Sequence, residues 1–389
     1  MDEPTAMTPP SKKDFDLLPQ CAPGTPMGTL LRRFWHPVAT SVKLANGQAR
    51  PLRVLGEDLT LYRGEGGCAH LVAGRCAHRR NVLHTGWIRG DEIACMYHGW
   101  QFDGRGQCTA MPAEKNPRLE SVKVAGYPVH EYGGLVFAYL GEGEPPAFEL
   151  PRKDVLEAPD VHVFTREQLW DCNWFQQVEN SLDAVHVSFV HAWGTRSRFE
   201  EEITTAIPDL SYAETSAGIR QVATRSKSNV RISDWTFPNN NHIVAPGPKK
   251  GDPWVHTSVW AVPVDDENTL RFAITSVKKT DEETNRRVAS DRDSSFNPPD
   301  HHDLLFRDHR LPECTPANVI ATQDYVALKG QGTVVDRSQE RLGQSDAGVA
   351  FLRRIFFREL EAVQAGHPTK RWSKLEESAE LPISMPETA

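Results

Sequence analysis

Arg75-Cys76-Ala77-His78-Arg79 and Cys95-Met96-Tyr97-His98-Gly99-Trp100 are the two stretches on which the reading of this chain turns. Each offers one thiolate and one imidazole, and sixteen residues separate His78 from Cys95. Such ligands suit soft or borderline metals. A zinc finger more often pairs Cys with Cys and His with His. A 2Fe-2S centre with mixed ligation needs two Cys on one iron and two His on the other. Two mixed pairs on facing loops deliver that division: Cys76 and Cys95 meet one iron, His78 and His98 the other. Gly86-Trp87 and Gly99-Trp100 flank the loops, where glycine permits tight turns and an indole shields the metals from water. On the residues alone a structural zinc site stays open. His84, between the pairs, reads as a loop histidine, as do His70, His130, His301, His302 and His309.

The chain has 389 residues, enough for two domains. A net charge of −8 argues against a general binder of nucleic acid or anionic membranes, which would need a basic face. Met1 to Pro10 lacks the positive-then-apolar pattern of a secretory leader, and no apolar run approaches the ~20 residues of a membrane span. A cytoplasmic protein is expected. Seven cysteines, an odd number scattered along the chain, make a disulfide framework improbable. Cys21, Cys68, Cys108, Cys172 and Cys314 read as small buried hydrophobes.

From about Trp35 to Leu140 the pattern is β: short apolar runs such as Leu52–Leu55, Leu59–Tyr62 and Leu135–Tyr139, bounded by Gly, Pro, Asn and Asp. Many short strands with Gly-rich turns predict a small sandwich or barrel. Before it lies a polar stretch, Met1 to Gln20, with at most a short helix near Phe15 to Pro19. Pro145-Pro146 and Pro151 mark a linker. Trp174, Val178, Leu182, Val185 and Phe189 recur at helical spacing, so Trp170 to Val190 reads as helix. Arg231–Ile243, Trp254–Val264 and Leu270–Val277 are strand-like, with a hairpin turn at Asp265–Asn268. Thr280–Pro312 reads as a long loop, Val319–Leu328 and Ala347–Ala365 as helices, and the tail beyond Ser373 as poorly ordered.

The second motif lies in the Trp170–Val190 segment and just after it: Glu179-Asn180-Ser181-Leu182-Asp183-Ala184-Val185-His186, then His191. Five residues of ideal helix turn through about 500°, so His186 and His191 would point roughly 140° apart. They meet at one metal only if the helix bends or ends between them, which predicts a break or π-type turn there. A carboxylate has to come from afar, and Asp308, Glu313, Asp324 and Asp336 are candidates. Asp324 stands out because Val319, Ile320, Gln323, Ala327 and Leu328 share its helical face. A carboxylate on an apolar face is costly unless it is paired or bound to metal.

Both motifs, together with Pro23–Gly28 and the Gln323–Asp346 stretch, resemble the Rieske non-haem iron oxygenases, oxygenase (alpha) subunits, in the phthalate-type branch that includes aromatic O-demethylases. The resemblance implies an α+β chain: an N-terminal arm (1–27), a small all-β Rieske 2Fe-2S domain (28–150), a helix-grip catalytic domain of antiparallel sheet and helices (151–373), and a C-terminal tail (374–389). It implies Fe(II) held by His186, His191 and Asp324, a facial triad that leaves positions open for O2. It places Asp183 as the electron-transfer bridge between a neighbouring subunit's cluster histidine and an iron histidine, with Asn180 on a motif position behind the iron. Assembly as a homotrimer, or a multiple of trimers, is implied. Arg80 departs from the pattern, since many relatives have Gly there; the change touches the loop or a partner surface, not the ligands.

Gly104-Arg105-Gly106 lacks the rest of a dinucleotide fingerprint. NAD(P)H oxidation therefore falls to a separate reductase, with or without a ferredoxin. The expected reaction is monooxygenation, either hydroxylation or O-demethylation of an aromatic acid. Cis-dihydroxylation of an aromatic ring is the alternative within oxygenases, and an electron-transfer-only Rieske protein the alternative outside them. Trp235, Phe237, Asn239, Asn241, Thr257 and Trp260 lie on strands expected to face the pocket, and none is singled out as a substrate ligand.

Overall fold

A computed structural model describes residues 11–151, 153–227, 229–291 and 295–373. The expected C-terminal tail, 374–389, and the first ten residues of the arm lie outside the described residues. Three small antiparallel sheets occupy the first 140 residues. One, of four strands, orders Ala49–Val54, Glu57–Arg63, Ala69–Ala73 and Gly126–Tyr127. A second four-stranded sheet runs Trp87–Arg89, Glu92–Ala94, Gln101–Phe102 and Cys108–Ala110. The third sets Leu135–Tyr139 between Trp35–Thr40 and Val129–Tyr132. The Gly and Pro punctuation read in the sequence is what cuts this region into strands so short.

The remainder is built on one seven-stranded antiparallel sheet. Its order is Val161–Trp170, Thr269–Lys278, Val255–Pro263, Asn240–Ala245, Asn229–Thr236, Gly218–Ser226 and Asp209–Glu214. The Asp265–Asn268 turn is a hairpin as expected: the Asp265 carboxylate accepts the backbone N–H groups of Glu267 and Asn268 at 3.0 and 2.9 Å. Helix Ala347–Gln364 lies across the sheet, with Phe356 packed on Trp235 and Phe237 and, on its other side, on Trp174 and Phe175. Trp235, Phe237 and Trp260 are therefore core. No described helix is long and apolar enough to cross a membrane.

Four expectations are corrected here. Trp170–Val190 is not one helix. Trp170 ends a strand, Trp174–Asn180 is helical, and the next helical turn is Val187–Val190. The apparent periodicity misleads at Phe189, whose side chain is 60% exposed. Thr280–Pro312 is not a loop, because Glu282–Asp291 and His302–Phe306 are helices. The first starts where the Asp281 carboxylate accepts the Thr284 N–H, with Glu282 and Glu283 in the opening turn. Arg231–Ile243 is two strands broken by a turn at Phe237–Asn239, and the strands Val161–Trp170, Asp209–Glu214 and Gly218–Ser226 went unread. Finally, Cys68 is exposed and Cys314 half-buried, whereas Cys21, Cys108 and Cys172 are core as expected.

The two halves are stitched by polar contacts. The Glu167 carboxylate accepts from the backbone and hydroxyl of Thr40, with Arg50 and Lys43 beside it. The N–H groups of Leu55 and Gly56 donate to the carbonyls of Pro263 and Val264, each at 2.8 Å. Asn173 caps helix Trp174–Asn180 by accepting the Phe175 N–H, and its amide donates to the carbonyls of Pro19 and Asp266.

Near the end of that helix Glu179 is buried between Arg337 and Arg353, accepting at 2.7 and 2.6 Å. Burial opposes its ionisation, but the two guanidinium groups outweigh it and hold its pKa below the ordinary glutamate range. Because the folded-state pKa is depressed, the stabilisation is present above the unfolded value and is lost as pH falls through the folded one. Glu179→Ala leaves two buried cations without their shared partner and should cost about 3–5 kcal/mol in denaturant unfolding at neutral pH. The difference from wild type should shrink in acid.

Candidate metal centres

The two Cys/His loops close in the same way. In the first, the Cys76 N–H donates to the Asn81 carbonyl at 2.8 Å and the Arg80 N–H to the Cys76 carbonyl at 3.1 Å. In the second, the Cys95 N–H donates to the Trp100 carbonyl at 2.8 Å and the Gly99 N–H to the Cys95 carbonyl at 2.9 Å. The fifth residue of each loop is left-handed: Arg80 at φ +59° and Gly99 at φ +73°. A glycine is the unstrained occupant of such a position, so Arg80 carries a local penalty of roughly 1–2 kcal/mol while leaving the loop's course intact.

Cys76 and Cys95 are buried, and each sulfur lies close enough to feel the other's charge. Burial pushes the Cys76 thiol up to about 11, so a thiolate there calls for a cationic partner. On the other side the His78 and His98 rings meet edge-on at 4.5 Å, and His78 stacks on Trp100 at 4.5 Å and 6°. His78 Nδ1 is buried without a hydrogen-bond partner. Sulfurs on one side, imidazoles on the other and a buried nitrogen without a partner fit a two-iron cluster. Trp100 covers the imidazole side, whereas Trp87, Met96 and Tyr97 are about half exposed. His84 sits in the 3-10 turn Leu83–Thr85, apart from this donor set.

The second group of donors is His186, His191 and Asp324, whose potential ligand atoms all lie within 4.8 Å of one another. No other group of this kind occurs among the described residues. The preceding helix ends at Asn180, and Asp183 opens the next turn: its Oδ1 accepts the N–H groups of Val185 and His186 at 3.1 and 3.2 Å, as an N-cap does. One helical turn, Val187–Val190, then separates the histidines, and the chain leaves helical geometry at His191, φ −101° and ψ 7°. The expected break or π-turn does not lie between the histidines: the turn Val187–Val190 runs unbroken from His186 and ends at His191, while the earlier helix end, at Asn180, precedes both.

Asp324 reaches them from the long helix Pro316–Gly330. Its Oδ1 lies 3.3 Å from His191 Nε2 and 3.6 Å from His186 Nε2. The apolar face expected around it holds except at Ala327, which is exposed, because Asn318, Thr322 and Tyr325 are buried as well. Burial works against ionisation of Asp324, yet His191, His186 and Arg271 together hold its pKa near 2. Burial lowers the proton affinity of His186; for His191 the charge of Asp324 and two hydrogen bonds prevail over burial and raise it.

Gln323 is a functional residue that sequence reasoning placed on the right helix face without giving it a task. Its Oε1 accepts from His191 Nδ1 at 2.9 Å and its amide donates to the Trp193 carbonyl at 3.0 Å. That holds the ring through Nδ1 and leaves Nε2 facing Asp324. Asn180 Nδ2 donates to Asp324 Oδ1 at 3.3 Å. Asp183 Oδ2 lies 3.8 Å from His186 Nδ1, and about 29% of its side chain is accessible. Asp308 instead pairs with Arg310, Asp336 caps the turn at Ser338, and Glu313 is exposed. The three oxygen and nitrogen donors converge on the wall of a cavity of about 220 Å³, which Asn239, Asn241 and Thr257 also line.

Residues 34–129 match the Rieske [2Fe-2S] domain family, and residues 138–379 match the family described as LigXa C-terminal domain like. The chain belongs to the Rieske non-haem iron oxygenases. It is 33% identical over 375 residues to the 5,5'-dehydrodivanillate O-demethylase oxygenase subunit of Sphingobium sp. (strain NBRC 103272 / SYK-6), covering 92% of this chain and 82% of that one. It is 31% identical over 373 residues to the phenoxybenzoate dioxygenase subunit alpha of Ectopseudomonas oleovorans, covering 89% and 84%. Among solved structures, the NdmA QL mutant of Pseudomonas putida CBB5 with theobromine superposes with a TM-score of 0.68 at 21% identity, over 86% of this chain and 92% of that one.

As a Rieske oxygenase the chain is a terminal oxygenase component, using a 2Fe-2S Rieske cluster, a mononuclear Fe(II) and O2, with electrons from a partner protein. Arg80→Gly should remove the backbone penalty of the first cluster loop and raise unfolding stability by up to about 1 kcal/mol. The visible absorption and EPR of the cluster should be unchanged.

Proposed function

We propose that this oxygenase inserts one oxygen atom into an aromatic acid, by hydroxylation or by O-demethylation. Cys76, His78, Cys95 and His98 hold the cluster within a domain spanning 28–150. His186, His191 and Asp324 hold the Fe(II) within a domain spanning 151–373. The observation that carries this reading is the convergence of those last three side chains on the cavity wall. When bound, the iron supplies oxygen activation at its open positions. The chain's own residues do the rest: Gln323 and Asn180 orient ligand atoms, and Asp183 links His186 to the cluster of a neighbouring subunit. Its partly accessible carboxylate supports that link and, with it, a homotrimer or a multiple of trimers. An NAD(P)H-dependent reductase, directly or through a ferredoxin, supplies the electrons.

O-demethylation is favoured by the likeness to a relative named for that reaction. Hydroxylation of a methoxy carbon gives a hemiacetal, which splits into a phenol and formaldehyde. The overall balance takes O2, two electrons and two protons and releases water.

His186→Ala and Asp324→Ala should each lose the mononuclear iron by metal analysis yet retain the EPR signal of the reduced cluster. Disappearance of the cluster in either variant would contradict the division of ligands. Asp183→Asn should keep both centres while slowing turnover by roughly 10–100-fold. Turnover of methoxylated aromatic acids with a generic reductase should release formaldehyde; a cis-diol without formaldehyde would shift the assignment to ring dihydroxylation.

A further inference from the structure

The cavity wall carries a cation, Arg231, with no acidic partner among the described residues. Arg231 lies on strand Asn229–Thr236 directly opposite Ala223, and Arg225 is two residues further along the neighbouring strand. The period-2 geometry of strands puts Arg231 on one face with Gln221 and Ser233, while Arg225 sits where the pairing shifts register, close enough for its charge to act on Arg231. Gln221, Arg231 and Ser233 all line the cavity. Arg225 Nε, Nη1 and Nη2 and Arg231 Nε are buried without a hydrogen-bond partner. Burial lowers the proton affinity of both side chains, and Arg225 lowers that of Arg231 further. Arg231 lies close enough to His191 for its charge to act on that imidazole.

The other charged groups of the wall are accounted for differently, and Arg166, which also lines it, has an interaction of its own. Arg271 is within reach of the Asp324 charge and sits over the Trp170 ring at 5.2 Å. Asp291 accepts the Ala317 N–H at the start of helix Pro316–Gly330. Asp183 and Asp324 belong to the candidate iron site. Two neighbouring guanidinium groups without an acid beside them among the described residues are a costly arrangement, since a buried charge is tolerated when it is paired.

We propose that Arg231, backed by Arg225, is the substrate's anion site: it pairs with the carboxylate of the aromatic acid and so sets which part of the molecule faces the iron. This rests on the reading under Proposed function and adds the recognising residue to it. A guanidinium fork matches a carboxylate with two parallel N–H···O bonds. Binding there supplies the missing counter-charge, and the rest of the ring is left to the apolar lining, such as Ile243, Val259 and Ile320.

The test is binding to the iron-loaded enzyme, by calorimetry and thermal shift. The probes are benzoate, 4-methoxybenzoate and phthalate, the corresponding neutral amides, and inorganic phosphate. At least one carboxylate should bind and raise the melting temperature, its amide should not, and phosphate should bind more weakly. In Arg231→Met the dissociation constant for that carboxylate should rise roughly 30-fold or more. Arg231→Lys should recover part of the loss and Arg225→Met should weaken binding less. If Arg231→Met does not fold, the Lys and Arg225 variants carry the comparison alone. Equal binding of acids and amides, no binding by any carboxylate, phosphate binding as tightly as the aromatics, or undiminished affinity in the folded variants would overturn the proposal. Iron content and cluster EPR are recorded on the same samples. Failure of the anion site with both centres intact is then distinct from failure of the oxygenase reading.

Discussion

Asp324 carries its negative charge in a wall where little water reaches it, and much of the catalytic half is arranged so that it can. A carboxylate left alone there would take up a proton. Two imidazoles from one helical turn and Arg271 from a distant strand keep it ionised. The fifteen-residue helix Pro316–Gly330 presents the carboxylate. Its neighbour Gln323 takes hold of His191, so one helix supplies both a ligand candidate and the tether for another. The first helix ends at Asn180, Asp183 opens a single new turn, and the two histidines stand at the two ends of that turn. Asn180, at the last residue of the first helix, donates to Asp324 from the other side. The buried Glu179 with its two arginines fixes that helix end in place.

The cluster half answers to a different requirement, namely two small rigid loops facing each other. Their backbones close with matching hydrogen bonds and matching left-handed residues. The thiol side points into a core with Leu83, Ile93 and Phe102, while the imidazole side reaches the surface. An electron carrier needs such an exposed edge. The oxygen site needs the reverse, a closed cavity, and the two demands are met on separate sheets joined by the Glu167 and Leu55–Gly56 contacts.

The ligand sets were legible in the sequence because their spacing is local or their chemistry conspicuous. Cys76-x-His78 and Cys95-x-x-His98 need no tertiary information to be seen as donors, and Asp324 betrays itself as a charge amid apolar neighbours. The strands of the first half were legible through their Gly and Pro boundaries. Elsewhere tertiary packing overrode local pattern. Phe189 continues a helical stripe in the sequence yet points to solvent, because the first helix has ended at Asn180. Val161–Trp170 hides its strand character because both faces are largely half-buried, which blurs the alternation. Glu282–Asp291 was misread through its charge, although Asp281 and the glutamates after it are a helix start that composition alone conceals. Gln323 was visible on its face, but its bond to His191 spans 132 positions and has no local signal.

A net charge of −8 says nothing of the cavity, where arginines from three strands face the interior. What matters there is local compensation. Arg271 has Asp324 within reach and an indole beneath it; Arg231 has another arginine. Discrimination between an acid and its neutral isostere follows from that asymmetry. An apolar wall distinguishes ligands by a methylene's worth of burial, which is weak. A site that holds an unpaired charge penalises any occupant that leaves it unpaired, and this penalty exceeds what the apolar wall can contribute. Under the proposal that Arg231 is the substrate's anion site, the sheet selects for an anionic substrate before the iron takes any part.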